Sequence, residues 1–562
     1  MGRTRNTFTC AAVAIAFMAG APRVWAQDYY PNLSGFNIKG VGVEERDNAN
    51  VDEVAGNAPG FIVTHMLWAR WGDTPPTNGV CTGGAFLFQG RCFTVDAPHD
   101  TIVREYSARG INVTAVLYGV PGWANAGKSC EFLRDSQGNL IPDGQGSFKR
   151  DIFCSPNNAA DYGRFAAMVA TRYNGGPNGR IVNFIIHNEV NTNAYYKYFP
   201  YSCGGGACNL NAWTTDYANN FNAAYDAIKP VRPNAKVFVS FNGVFAPPDD
   251  INGGGISIKT FLSSLAPKLD VGQVRAWSVS AHPYANNFGT VHSPEDYPGA
   301  TPGSFAQLAQ WLRAAFPSKP SAWEITLSEG GLDGYLNSGY PDMTPDTTAL
   351  QADYLCRAFR NVLGTPGINS YHYTSLTDHP ALTGFGHYQG LIKCTPNADC
   401  NWPSRQYKYA WATWALANRA DLNTLSCGFE DLPYARLKRY YHPNRGHWAS
   451  TRTPPSGFNY EASWKILRNP EAGTRMLYEY RAYSGAYYWA GGHNFVGTTP
   501  DAAPGILFPL GPLGYVWTAP AAGRVPLYRC YVSAPGYETH FVADSNCGGW
   551  VQEELLGYAL PG

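Results

Sequence analysis

The chain has 562 residues, with 42 basic and 42 acidic side chains that cancel to a formal net charge of zero. Charged residues make up only 15% of it, which excludes a broad basic face for nucleic acid or for an anionic membrane surface. The length exceeds what one hydrophobic core usually fills, so more than one domain is expected.

The first residues have the layout of a secretory signal. Arg3 and Arg5 precede a small and apolar stretch from Phe8 to Ala19, and Val24-Trp25-Ala26 supplies a cleavage site before Gln27. No later run approaches the roughly 18 uninterrupted apolar residues of a membrane span. The expected product is a secreted protein, extracellular or periplasmic, without membrane insertion. Cys10 leaves with the signal, and the other twelve of the 13 cysteines suit disulfides in an oxidising compartment. Nearness suggests Cys81 with Cys92, Cys130 with Cys154, Cys203 with Cys208, Cys394 with Cys400 and Cys530 with Cys547, leaving Cys356 and Cys427.

Strand and helix signals then alternate. Apolar runs bounded by turn residues lie at 35–43, 60–68, 113–118, 181–186, 236–241, 276–281, 323–327 and 368–373. Stretches of helical period fall between and after them, at 101–109, 160–173, 212–228, 258–265, 304–316, 347–362 and 405–417. Eight strands alternating with helices predict an α/β fold closed into a (β/α)8 TIM barrel, residues 27–420 behind a signal at 1–26, with Gly- and Cys-rich inserts as rim loops.

After a linker at 421–433 the pattern changes. Arg436-Leu-Lys-Arg-Tyr440, Met476-Leu-Tyr-Glu-Tyr480 and Pro526-Leu-Tyr-Arg-Cys-Tyr531 are three copies of one motif, each followed by a second, aromatic strand. Such spacing predicts a smaller all-β module at 434–562, built of three units around a pseudo-threefold axis and β-trefoil-like. Its pockets suit either sugar binding or a stabilising contact with the barrel.

Two glutamates close predicted strands: Glu189 in Phe184-Ile-Ile-His-Asn-Glu189, the fourth, and Glu329 in Ile325-Thr-Leu-Ser-Glu329, the seventh. His282-Pro-Tyr284 ends the sixth, and Lys408-Tyr-Ala opens the last helix. In these residues the chain resembles the retaining glycoside hydrolases of clan A and, in looser outline, glycoside hydrolase family 39. That resemblance implies Glu189 as acid/base, Asn188 as a ligand of the sugar 2-hydroxyl, Tyr284 as a contact of the nucleophile, and Glu329 as the nucleophile.

Elementary chemistry agrees with these roles. Retention requires two carboxyls roughly 5 to 5.5 Å apart, one ionised to attack the anomeric carbon and one protonated to release the leaving oxygen. Their surroundings must therefore differ: a hydrogen-bond donor beside Glu329, and a more apolar or like-charged setting for Glu189.

Other candidate substrate-binding residues are His282, Arg70 after the second strand, Trp123 in Pro121-Gly-Trp, and Tyr373 at the end of the eighth. A structural salt bridge competes for Arg70, and buried packing competes for both aromatics. No serine-hydrolase elbow, zinc motif, phosphate loop or dinucleotide fingerprint occurs, so neither cofactor nor metal is expected. The expected function is hydrolysis of a polysaccharide or oligosaccharide by double displacement; the alternative is an inactive glycan-binding protein on the same scaffold.

Overall fold

The computed structural model of the chain describes residues 29–33, 37–135, 137–198, 208–246, 249, 255–284, 305–332, 345–378, 389–393, 406–417, 434–443, 446–451, 458–467, 471–482, 494–499, 507–534 and 537–562. Eight strands form the barrel: β1 (Lys39–Gly42), β2 (Phe61–Leu67), β3 (Asn112–Tyr118), β4 (Gly179–Ile186), β5 (Lys236–Phe241), β6 (Trp277–Ala281), β7 (Ile325–Leu327) and β8 (Ile368–Tyr373). Each pairs in parallel with its neighbours in sequence, and β1 with β8 completes the circle. Every predicted barrel strand is present, and the TIM barrel stands.

Helices cover the outside: α1 (Val51–Gly56), α2 (Ala97–Ala108), α3 (Ala159–Arg172), α4 (Leu210–Ile228), α5 (Ile258–Leu269), α6 (Phe305–Ala315), α7 (Pro345–Leu363) and α8 (Tyr409–Leu416). Local chemistry sets their starts. Asn158, Asn209 and Ser257 each accept a backbone N–H of the turn that follows, which supplies a partner to a donor the helix itself cannot satisfy. Among the described helices, α1 is the one without a sequence signal, since six residues are too few to show a period.

Strands buried on both faces explain the continuous apolar runs. All eight residues of β4 are buried, one face against helices and the other inside the barrel. Val63, Val116, Ile185 and Phe238 form an inner layer. With a side-chain period of two, the next inward positions toward the C-terminal rim are His65, Tyr118 and Ser240. This alternation, more than any loop, places polar groups at the barrel mouth.

A separate antiparallel sheet follows, of strands β9 (Tyr434–His442), β10 (Gly446–Ser450), β11 (Asn459–Leu467), β12 (Thr474–Ala482), β13 (Asn494–Gly497), β14 (Leu507–Trp517), β15 (Val525–Ala534), β16 (Tyr537–Ala543) and β17 (Val551–Pro561). They group in threes. In each group the first strand pairs with the second and with the third. The third strands β11, β14 and β17 also pair with one another, every one with both others.

Contacts join the two parts. Tyr409 of α8 stacks on Tyr478 of β12 with centroids 5.2 Å apart and planes 20° apart, and Ala412 packs with Trp448. Disulfides link Cys81 to Cys92, Cys130 to Cys154 and Cys530 to Cys547, as expected from nearness. Cys208 and Cys356 are also disulfide-bonded, but Cys203 and the left-over Cys427 lie outside the described residues, as do the Cys394–Cys400 pair, the signal segment and the linker. Among the described residues, no helix is long and apolar enough to cross a membrane.

Candidate active site

The backbone at the end of β4 is unusual. His187 has φ 56° and Glu189 φ 39°, both in the left-handed region that non-glycine residues rarely occupy. Such conformations cost on the order of 1 to 3 kcal/mol each and persist only where surrounding contacts enforce them. Those contacts are present. The His187 ring stacks on Tyr162 at 4.3 Å, the His187 backbone N–H donates to Leu117 O, and the Val190 backbone N–H donates to Ser240 O. The chain leaves β4 through a turn that is held on both sides, and Glu189 is the side chain it aims.

Glu189 Oε1 lies 2.7 Å from His282 Nδ1, and the same nitrogen lies 3.6 Å from Glu329 Oε2. Ligating atoms of Glu189, His282 and Glu329 fall within 4.8 Å of one another. Glu329 also accepts from Tyr284 Oη at 2.9 Å and lies 3.1 Å from His65 Nε2. Tyr284 Oη is 2.5 Å from Thr374 Oγ1, and His282 Nε2 is 3.0 Å from Ser328 Oγ, itself 2.6 Å from Ser280. Glu329 is followed by a glycine for a steric reason: a Cβ on Gly330 would stand 2.8 Å from the Tyr371 ring.

Electrostatics separate the two carboxyls. Burial alone would raise the Glu329 pKa, but the nearby His282 imidazole, the His65 contact and the Tyr284 hydroxyl outweigh it and hold the carboxyl down at about 2. Burial works against charge on both histidines, yet the neighbouring carboxylates raise their pKa values. Burial and the Glu329 charge push the Tyr284 phenol well above its ordinary value, so it remains a proton donor. The same spacing would span a cation, with His282 Nδ1 and one oxygen of each glutamate as ligands; in the structure Nδ1 lies instead 2.7 Å from Glu189. A hydrogen-bonded proton network accounts for these contacts.

A family profile described as "Family of unknown function (DUF5722)" matches residues 35–426. The chain belongs to this family. No curated protein matches it. Similar solved structures include a family 39 glycoside hydrolase from the gut symbiont Bacteroides cellulosilyticus WH2, 12% identical, covering 95% of this chain and 83% of that one at a TM-score of 0.45. The Ignisphaera aggregans GH53 catalytic domain is 16% identical over 66% of this chain and 96% of that one, at 0.39. A β-glucosidase from Thermotoga maritima in complex with deoxynojirimycin is 12% identical over 71% and 100%, at 0.42.

In this DUF5722 chain, Glu189, Glu329, His282 and Tyr284 converge as the strand positions suggested. Asn188 lies between the two strained residues, and its buried Oδ1 has no hydrogen-bond partner among the described residues. Three softer candidates fall elsewhere. Arg70 is occupied by Glu45 at 2.5 Å and Asp96 at 3.1 Å, the salt-bridge alternative. Trp123 is 39% exposed, with one face covered by the Arg91 guanidinium 4.3 Å from the ring centre. Tyr373 is a correction: it is fully buried, its hydroxyl accepts from Gln351, and it presents no ring face to a ligand. Of the two settings expected for Glu189, the like-charged one is present in Glu329, and the His282 imidazole stands beside both.

Sequence reading missed His65, Thr374 and Tyr195. His65 carried a signal, an ionisable side chain in phase with the inward positions of an apolar strand. Tyr195 sits in the loop after Glu189 and packs edge-on against Phe153 at 5.3 Å, where its phenol feels both glutamate charges. No local pattern marks such a loop residue.

Proposed function

We propose that this protein is a secreted retaining glycoside hydrolase that cleaves a polysaccharide or oligosaccharide, with Glu329 as nucleophile and Glu189 as acid/base. One observation carries the reading: the ligating atoms of both carboxyls lie within 4.8 Å of one another. That suits the roughly 5 to 5.5 Å spacing for direct attack and is shorter than the roughly 6.5 to 9.5 Å that leaves room for an inverting water.

In the proposed first step, a Glu329 oxygen bonds to the anomeric carbon as the bond to the leaving oxygen breaks. The proton held in the Glu189–His282 contact passes to that oxygen. Glu329 becomes an ester and loses its charge, so the network no longer stabilises an anion there. Glu189 then takes a proton from water, whose oxygen bonds to the anomeric carbon as the ester bond breaks. Each step inverts the anomeric carbon, so the two together return the anomer of the substrate. Asn188 Oδ1, without a hydrogen-bond partner among the described residues, is suited to accept a sugar hydroxyl.

The disulfides suit an oxidising compartment, which supports export. The three-by-three strand pairing of the C-terminal sheet supports a β-trefoil-like module. The test is release of reducing sugar from a polysaccharide panel by the parent and by Glu329→Ala, with the product anomer read by proton NMR at early times. Release by the parent with retention, and none by the variant, is expected. An inverted product would overturn the double-displacement assignment.

A further inference from the structure

The C-terminal sheet contains a polar arrangement that its fold does not require. In the first unit, Arg439 of β9 donates to Glu461 of β11 at 2.8 Å, and His447 Nε2 of β10 lies 3.5 Å from the same carboxylate oxygen. In the third unit, Arg529 of β15 donates to Glu553 of β17 at 2.7 Å, and His540 Nε2 of β16 lies 3.3 Å from it. A tyrosine stands directly across each hairpin from the histidine: Tyr441 at 4.9 Å and Tyr531 at 5.0 Å between ring centres. An aromatic ring from the neighbouring unit completes each set, Phe541 beside His447 and Phe495 beside His540, both at 5.0 Å.

The carboxylates are aimed by the backbone. Glu461 falls at a register shift between Arg439 and Tyr440, and Glu553 at the matching shift between Arg529 and Cys530. A bulge of this kind turns an extra side chain out of the regular ladder. The second unit has the same shift, between Glu479 and Tyr480, but Leu510 stands there. By register, Glu479 replaces the arginine, Arg481 the tyrosine and Asn494 the histidine.

This broken symmetry is the informative feature. The second unit makes the same first-to-second and first-to-third pairings with a different residue at each of the four places, so the set is not needed to build a unit. It is also the unit whose first strand supplies Met476, Tyr478 and Tyr480 to the barrel's core cluster. In the other two, arginine, glutamate and histidine side chains keep 15% to 30% of their surface exposed, so a solute can reach them.

We propose that Arg439, Glu461, His447 and Tyr441, and likewise Arg529, Glu553, His540 and Tyr531, are two equivalent binding sites for a neutral saccharide. Arg439 is balanced by Glu461, and Arg529 by Glu553 and also by Glu554 at 2.6 Å, which disfavours an anion. Donors and acceptors side by side match the hydroxyl pairs of a sugar, and the ring supplies an apolar face. The sites do not depend on what the barrel catalyses.

Native affinity electrophoresis tests this with the full chain carrying Glu329→Gln, in gels containing β-glucan, galactomannan, arabinoxylan or polygalacturonate. At least one neutral polysaccharide is expected to retard the protein. Either His447→Ala or His540→Ala is expected to weaken retardation, and the double variant to raise the apparent Kd at least ~10-fold, because two sites on one chain act together. Unaltered thermal unfolding of the double variant separates lost binding from lost fold. If it unfolds, Tyr441→Phe with Tyr531→Phe replaces it, keeping the rings and removing the hydroxyls. Three results overturn the proposal: no neutral gel retards the protein, only polygalacturonate does, or the double variant is retarded as strongly as its parent. Failure of the barrel to hydrolyse any glycan would sink the hydrolase reading and leave these sites standing.

Discussion

His282 Nδ1 stands 2.7 Å from Glu189 and 3.6 Å from Glu329, so one imidazole nitrogen serves two carboxylates. Its charge is the largest influence lowering the pKa of Glu329. His282→Gln removes that charge, and the Glu329 carboxyl moves back up toward its ordinary value of 4.5. Less of it is ionised at acidic pH. The acid limb of the kcat/KM profile is expected to shift to higher pH, with a loss of about 10-fold or more at the optimum, given the ~1.5–3 kcal/mol of a charged hydrogen bond. An unchanged acid limb would show that His282 does not set the state of Glu329.

The two glutamates should fail in different ways. With Glu189→Ala, general acid catalysis is lost and kcat is expected to fall by ~10²–10⁴-fold for a poor leaving group. An activated aryl glycoside needs no proton at its leaving oxygen, so the ester still forms, and added azide can attack it without a base. Rate recovery with azide and a retained glycosyl azide is the expected outcome. Glu329→Ala cannot form the ester at all. Azide recovery giving the retained product in Glu329→Ala, but not in Glu189→Ala, would reverse the assignment.

Much of this architecture could be read in the sequence because the barrel strands are buried on both faces and make unbroken apolar runs. The ends of β4, β6 and β7 were visible for the same reason, and with them Glu189, His282 and Glu329. Tyr373 misled because a strand of period two sends alternate residues outward, and the side of the wall on which Tyr373 falls depends on barrel register. Tyr195 and Thr374 approach the site through chain excursions after β4 and β8, whose path depends on tertiary contacts. In the C-terminal part the three motifs exposed the units, but the bulges that turn Glu461 and Glu553 leave no local signature.

The buried charge network also predicts how stability varies with pH. Glu329 is held below its ordinary 4.5 at about 2, so its contribution is complete above 4.5 and is lost as pH falls through about 2. His65 and His282 are raised above 6.5, so their contributions are complete below 6.5 and disappear as pH rises through their folded values. The network therefore stabilises most between these limits. Urea unfolding of the parent and Glu329→Gln at pH 6, 4 and 3 is expected to show the parent losing more stability on acidification. Parallel losses in both proteins would contradict the assignment.

The Cys130–Cys154 bridge closes a 24-residue separation next to Phe153, whose ring stacks on Tyr118 with planes 7° apart and meets Tyr195 edge-on. Tyr118 in turn packs against His65 at 5.6 Å. Replacing both cysteines by serine is expected to cost about 3 kcal/mol through restored chain freedom in the unfolded state. It should also loosen the aromatic rim above the glutamates, raising KM more than it lowers kcat. Equal melting midpoints with and without the bridge would remove its structural role.

On β12, Tyr478 and Leu477 point to opposite sides, as alternation requires. Tyr478 belongs to the core cluster shared with the barrel and stacks on Tyr409, whereas Leu477 lies in the core of the C-terminal sheet itself. Tyr478→Ala removes a large buried ring at the junction, with an expected cost of about 3 to 5 kcal/mol by comparison with other aromatic truncations. Because that loss falls between the parts, calorimetry should resolve two transitions where the parent shows one or closely merged ones. Leu477→Ala lowers the stability of the sheet and should move its transition alone. If Tyr478→Ala merely shifts a single cooperative transition, barrel and sheet unfold as one body through contacts other than the tyrosine stack.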